Sequence, residues 1–147
     1  MSQLKVSALK LSLKVDEKSA AILDGQSKIC NWLYNHLLES ANFLKKTFIE
    51  TKEAAVSLTL YSKRGLRNLV PDIKQRCPFL KTVHSSPLKN VALRLTSVIQ
   101  DHQNSKKGKR LGTITGWPKF RSWKKNWFSL LYDEPNKGFK VEDGFLN

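Results

Sequence analysis

Residues Gly116 to Phe128 read Gly-Trp-Pro-Lys-Phe-Arg-Ser-Trp-Lys-Lys-Asn-Trp-Phe. A Gly and a Pro fix the chain direction at the start, and cations then interleave with flat rings. Lys119, Arg121, Lys124 and Lys125 have the chemistry to neutralise phosphates. Trp117, Phe120, Trp123 and Trp127 have the chemistry to stack on exposed bases or cover sugars. The plainer alternative is an aromatic core under a solvated cationic face, and the density of the strip favours nucleic-acid contact over it. Alternation places Phe120 inside and Trp117 or Trp123 outside. Just upstream, Lys106-Lys107-Gly108-Lys109-Arg110 forms a basic run that extends the same phosphate track.

The whole composition agrees with that chemistry. The 147 residues fit one domain or two small lobes and carry a formal net charge of +14. A small acidic substrate does not need so strong a field, whereas a polyanion does, and nucleic acid is the commonest polyanion. An anionic membrane surface is the rival, but no apolar run approaches the ~20 residues that span a bilayer. Lys10 and Lys14 interrupt what would be the apolar region of a signal peptide. A hydrophobic fraction of 40% supports a core and excludes a disordered basic tail. Cys30 and Cys77, with His36, His84 and His102, show no zinc spacing, so no metal or other cofactor is expected. A reducing cytoplasm is the default compartment. No nucleophile, base or metal constellation is visible, which makes a self-sufficient enzyme the least favoured class.

The elements that must position these residues follow from periodicity. Gln3 to Val15 alternate as a strand, with a one-residue phase shift that suggests a bulge. Asp16 is an N-cap for a long helix whose stripe is Ile22, Leu23, Ile29, Cys30, Leu33, Leu37, Ala41, Leu44 and Phe48. Leu60 to Val70 read as a short helix ending before Pro71, and Pro71 to Arg76 as another turn or two. Ser86 caps a further helix with Pro87 at its first position and a stripe of Leu88, Val91, Ala92, Leu95, Val98 and Ile99. Lys89, Asn90 and Arg94 lie off that stripe and join the candidate nucleic-acid contacts. The helix fades near His102 to Ser105. Trp127 to Tyr132 and Phe139 to Val141 read as strands, with turn chemistry between them. The order strand, helices, strands predicts an α+β fold. A small sheet or partial barrel is built from residues 1–15 and 111–147, and residues 16–110 form a helical insertion.

Three segments resemble the N-terminal part of the TnpB (OrfB) proteins of bacterial insertion sequences, RNA-guided nucleases related to type V CRISPR effectors. They are Leu9 to Leu13 followed by Cys30 to Leu38 with its Tyr34-Asn35 pair, then Ser85 to Leu95, and then Gly116 to Ser122. The last is similar to the family's Gly-x-Pro-x-Phe-Lys signature, with Arg121 in place of the usual Lys. The resemblance implies a wedge-like β domain with a helical recognition insertion, a region also labelled helix-turn-helix. It implies binding to a guide RNA scaffold and to DNA, with Lys63, Arg64 and Arg67 as secondary contacts to the guide–target heteroduplex. In such systems pairing reads the target, and the protein reads shape and a short adjacent motif. In the family a later RuvC-like domain cuts, using acidic residues and metal ions. The chain stops about where that domain would begin, and Asp133, Glu134, Glu142 and Asp143 fall in expected turns. The expectation is therefore a truncated or split member, cytoplasmic and associated with the nucleoid, that binds mainly backbone and does not cut. A stand-alone helix-turn-helix regulator and a non-functional transposase remnant are the alternatives.

Overall fold

The computed structural model describes residues 11–108, 116–133, 141–142 and 145–146. Four α-helices dominate: α1 (Glu17–Thr51), α2 (Ala54–Tyr61), α3 (Val70–Arg76) and α4 (Ser85–Lys106). Short 3₁₀ turns at Arg67–Leu69 and Pro78–Thr82 join the later ones. Helix α1 starts where the sequence predicts: the Asp16 carboxylate accepts from the Ser19 amide at 2.7 Å. That hydrogen bond holds the Asp16 carboxyl below its ordinary pKa. At 35 residues, α1 is about 52 Å long at 1.5 Å per residue.

The core forms where α1 and α4 press their apolar stripes together. Cys30, Leu33, Leu37 and Ala41 meet Leu88, Val91, Ala92, Leu95 and Ile99, all fully buried. Leu60, Leu66, Val70, Ile73, Leu80 and Val83 close the same core from the crossover between the two helices. The stripe of α1 is shorter than the periodicity suggests, because Ile22 is exposed. Helix α4 starts slightly earlier than expected. His84 is its N-cap, its Nδ1 accepting from the Ser86 amide at 3.1 Å.

The expected α+β architecture is overturned. Leu11, Leu13 and Val15 alternate like a strand, yet they are exposed and carry no regular structure. Residues 3–10 of that expected strand lie outside the described residues. Trp127 to Tyr132 is also irregular. Among the described residues the β-structure is one antiparallel ladder, β1 (Val141–Glu142) with β2 (Phe145–Leu146), which pairs Val141 with Leu146. A two-residue ladder is far short of the sheet or partial barrel expected. The physical reason lies in residues 116–133: the Arg121 and Phe128 backbone N–H groups and the three indole N–H groups are satisfied by side chains of α1, not by a neighbouring strand.

The short helix expected over Leu60 to Val70 is corrected too. Helix α2 ends at Tyr61, and the chain turns through Ser62 to Leu66. Gly65 sits so close to the Thr59 carbonyl that an added Cβ would lie 1.9 Å from its oxygen. That close approach needs a residue without a side chain, and it seats the next residue, Leu66, in the core.

Candidate nucleic-acid interface

The aromatic-basic strip is a strap laid along α1. Trp117 donates its indole N–H to Asn42 Oδ1 at 2.7 Å, Trp123 to Ser27 Oγ at 2.9 Å, and Trp127 to Asp24 Oδ1 at 2.9 Å. As the strap advances, its partners on α1 therefore descend. Between them, the Asn35 side-chain amide pairs with the backbone of Arg121 as a strand neighbour would. Asn35 Oδ1 accepts from Arg121 N at 2.8 Å, and Nδ2 donates to Arg121 O at 2.9 Å. Asn31 Nδ2 donates to the same carbonyl at 3.2 Å.

Ser27 is buried and fully used. Its hydroxyl accepts from Trp123 Nε1 and from Phe128 N, each at 2.9 Å, and donates to Phe128 O at 2.8 Å. Phe128 is in turn buried, the strap's apolar anchor. Downstream, Tyr132 hydrogen-bonds Gln26.

The strap also touches α4, again in descending order. Trp117 meets His102 edge to face, Arg94 Nη1 donates to Ser129 O at 2.9 Å, and Tyr132 lies near His84. Helices α1 and α4 thus run the same way, and the strap fills the seam between them in the opposite sense. Parallel neighbours need a long crossover, which α2, the 3₁₀ turns and α3 supply.

Two guanidinium groups pack on the strap's anchor. Arg94 and Arg121 each lie 4.5 Å from the centroid of the Phe128 ring. Burial and then the like charge of Arg121 lower the Arg94 pKa from its ordinary value. The buried Cys30 thiol nearby is pushed up to about 12, chiefly by burial, with Arg94 opposing. Burial also raises the Tyr34 hydroxyl.

The sequence-predicted residues therefore separate into groups. Arg94, Arg121, Trp117 and Trp123 are half-buried parts of the seam. The indole N–H groups of the two tryptophans are occupied, and Lys45 and Lys28 of α1 lie 4.2 and 4.6 Å from their ring centroids. The expected inside-outside assignment is reversed: Phe120 is 59% exposed, while Trp117 and Trp123 are half-buried. Lys119, Lys124 and Lys125 are exposed on the strap's outer side, the last two on a turn closed by Ser122 O accepting from Lys125 N and Asn126 N at 3.1 Å. Lys106 and Lys107 are exposed at the end of α4, and Lys63 is exposed on the turn after α2. Lys109 and Arg110 lie outside the described residues. Asn90 is half-buried on α4. Arg64, Arg67 and Lys89, distant in sequence, meet at one cleft together with Lys74, which the sequence reading missed.

Also missed was the polar ladder Asp24, Ser27, Asn31, Asn35 and Asn42 that receives the strap. Its steps of three, four, four and seven residues place all five side chains within a sector of about 80° on a 3.6-residue helix. The signal was present: a stripe of short amides and hydroxyls, unsuited to a helix interior, running beside the apolar one.

Among the described residues, no three His, Cys, Asp or Glu side chains cluster as a metal ion would require. Nor is any helix there long and apolar enough to cross a membrane. No family model, no curated protein and no solved structure matches this chain.

Proposed function

We propose that this chain is a nucleic-acid-binding module that grips RNA and DNA through their sugar-phosphate backbone and leaves cutting to another domain or chain. Its resemblance to the N-terminal part of the TnpB (OrfB) proteins gives the class of system: an RNA-guided, transposon-associated nuclease with a guide RNA scaffold and target DNA as partners. The observation that carries the reading is the outward row of Lys119, Lys124 and Lys125 on the strap, in a chain of formal net charge +14. Among the described residues, none of these lysines has a carboxylate within 4.0 Å. Exposed cations without counter-charges are suited to displacing the counterions of a polyanion.

The fold changes which half of the strip does the binding. The half-buried indoles hold the strap, so the lysines make the contact. Phe120 and Trp127, at 59% and 44% exposure, are the rings open to a base or sugar. Such contacts fix position and carry little base specificity.

Fluorescence anisotropy with a labelled structured RNA and a random-sequence DNA duplex, titrated with salt, tests the reading. The wild type should bind both, with affinity falling steeply as salt rises. Substituting Lys119, Lys124 and Lys125 together by Gln should flatten the log–log slope by about 2–3, at roughly 0.7–0.9 per lost contact. A folded protein that binds neither probe at low salt contradicts the proposal. Tight binding to one duplex sequence alone would instead favour a helix-turn-helix regulator.

A further inference from the structure

A cleft of about 270 Å³ opens between the turn after α2, the start of α3 and the first turn of α4. Four cations line it: Arg64, Arg67, Lys74 and Lys89. No acidic residue does. Asp72, the nearest acid along the chain, is paired with Arg76 at 3.1 Å. Val70 and Leu88 are buried at its edge and give it a low-dielectric wall, which strengthens the field of the cations in front of it. Ser85, the first residue of α4, brings the positive end of that helix's dipole to the same place.

The backbone that carries the two arginines is held in position. Leu66, between Arg64 and Arg67 in sequence, is fully buried. Gly65 lets the turn sit against the Thr59 carbonyl. Asn68 N donates to Arg64 O at 2.9 Å, and Leu69 N to Leu66 O at 3.1 Å. An anchored turn spares the backbone share of the ordering cost on binding. Gathering four positive charges without a carboxylate is unfavourable unless an anion completes the site.

We propose that this cleft binds a phosphate monoester dianion. A guanidinium fork suits two phosphate oxygens at once, and ammonium groups add charge without demanding geometry. A monoester carries close to two negative charges at neutral pH, against one for a bridging phosphodiester, so four cations favour a terminal phosphate over a backbone one. The volume lies just below the roughly 300 Å³ at which drug-sized pockets begin, which fits a phosphoryl group with its sugar better than a larger ligand. The monoester's source is either the end of a nucleic-acid strand or a free phosphorylated metabolite. The inference is independent of the strap lysines.

Isothermal titration with adenosine 5′-monophosphate, inorganic phosphate and adenosine tests the cleft. Anisotropy with one 12-mer RNA carrying either a 5′-phosphate or a 5′-hydroxyl then separates the sources. The monophosphate and inorganic phosphate should bind and adenosine should not. Arg64→Gln with Arg67→Gln should weaken the monophosphate at least tenfold, and Arg64→Lys with Arg67→Lys, which keeps the charge, should weaken it less. Substituting Lys119, Lys124 and Lys125 by Gln should leave monophosphate binding unchanged. A strand end as source predicts at least fivefold tighter binding of the phosphorylated RNA. Equal binding of both RNAs alongside monophosphate binding assigns the cleft to free phosphorylated metabolites and also supports the proposal. Absence of monophosphate and inorganic phosphate binding by folded wild-type protein overturns it. If the RNAs still bind equally in that case, the backbone-binding reading survives alone.

Discussion

The strap and the cleft use cations in opposite ways. In the seam, Arg94 and Arg121 both pack on Phe128, Arg94 also donates to the Ser129 carbonyl, and the tryptophans beside them are fixed by α1. At the cleft, Arg64, Arg67, Lys74 and Lys89 converge with no acid among the lining residues. Both regions are basic in sequence, and only the fold separates cations used as structure from cations left to bind. Density of Lys, Arg and aromatics is therefore a poor guide to which individual cations are left open to a ligand. The better guide is what each cation already touches.

The sharpest way to break this comparison is to cut the strap from its helix. Ser27→Ala removes one hydroxyl and leaves the Phe128 N–H, the Phe128 carbonyl and the Trp123 indole unsatisfied. The expected loss is about 3 kcal/mol, read by urea denaturation, with a red shift of tryptophan emission as the strap loosens. Gly65→Ala attacks the cleft in the same spirit. Its Cβ would collide with the Thr59 carbonyl, so the turn must move. A loss of about 2 kcal/mol is expected, along with weakened monophosphate binding and an unchanged strap signal in tryptophan fluorescence.

How much of this could be read from the sequence divides along the same line. The α1 and α4 stripes were legible because long apolar periods leave few alternatives, and Asp16 marked a helix start that the structure bears out. The end of the strap, Trp127 to Tyr132, reads as a strand because its alternation is also what an extended segment shows when it lies on a helix. The partner's identity is not local information: the Ser27, Asn31 and Asn35 side chains that replace a neighbouring strand lie more than 80 residues away. The polar stripe on α1 was the available clue. Arg64, Arg67 and Lys89 were legible as basic residues but not as one site, because the crossover that unites them depends on Gly65 and Leu66 packing.

Two smaller effects sharpen the contrast. The core beside the seam holds the Cys30 thiol and the Tyr34 hydroxyl, both raised by burial. In alkali the unfolded chain gives up a Cys30 proton that the folded chain keeps. Stability should therefore hold below about pH 9 and fall as pH rises toward 12. Melting temperature against pH checks this, and Cys30→Ala should flatten the decline. Smallest is Lys52, which ends α1 in the left-handed region at φ 58°. Lys52→Gly should raise stability by about 0.5–1 kcal/mol in denaturant titration without altering binding at either surface.

The central claim is that exposed cations of a helical scaffold bind the nucleic-acid backbone while the tryptophans of the strap hold the structure together. Salt titration of RNA binding by the wild type, set against the variant with Lys119, Lys124 and Lys125 replaced by Gln, tests it most directly. The account predicts steeply salt-dependent wild-type binding and a variant that keeps its wild-type melting temperature while its slope shrinks by about 2–3. An unchanged slope in a folded variant, or a wild type indifferent to RNA at low ionic strength, would contradict it.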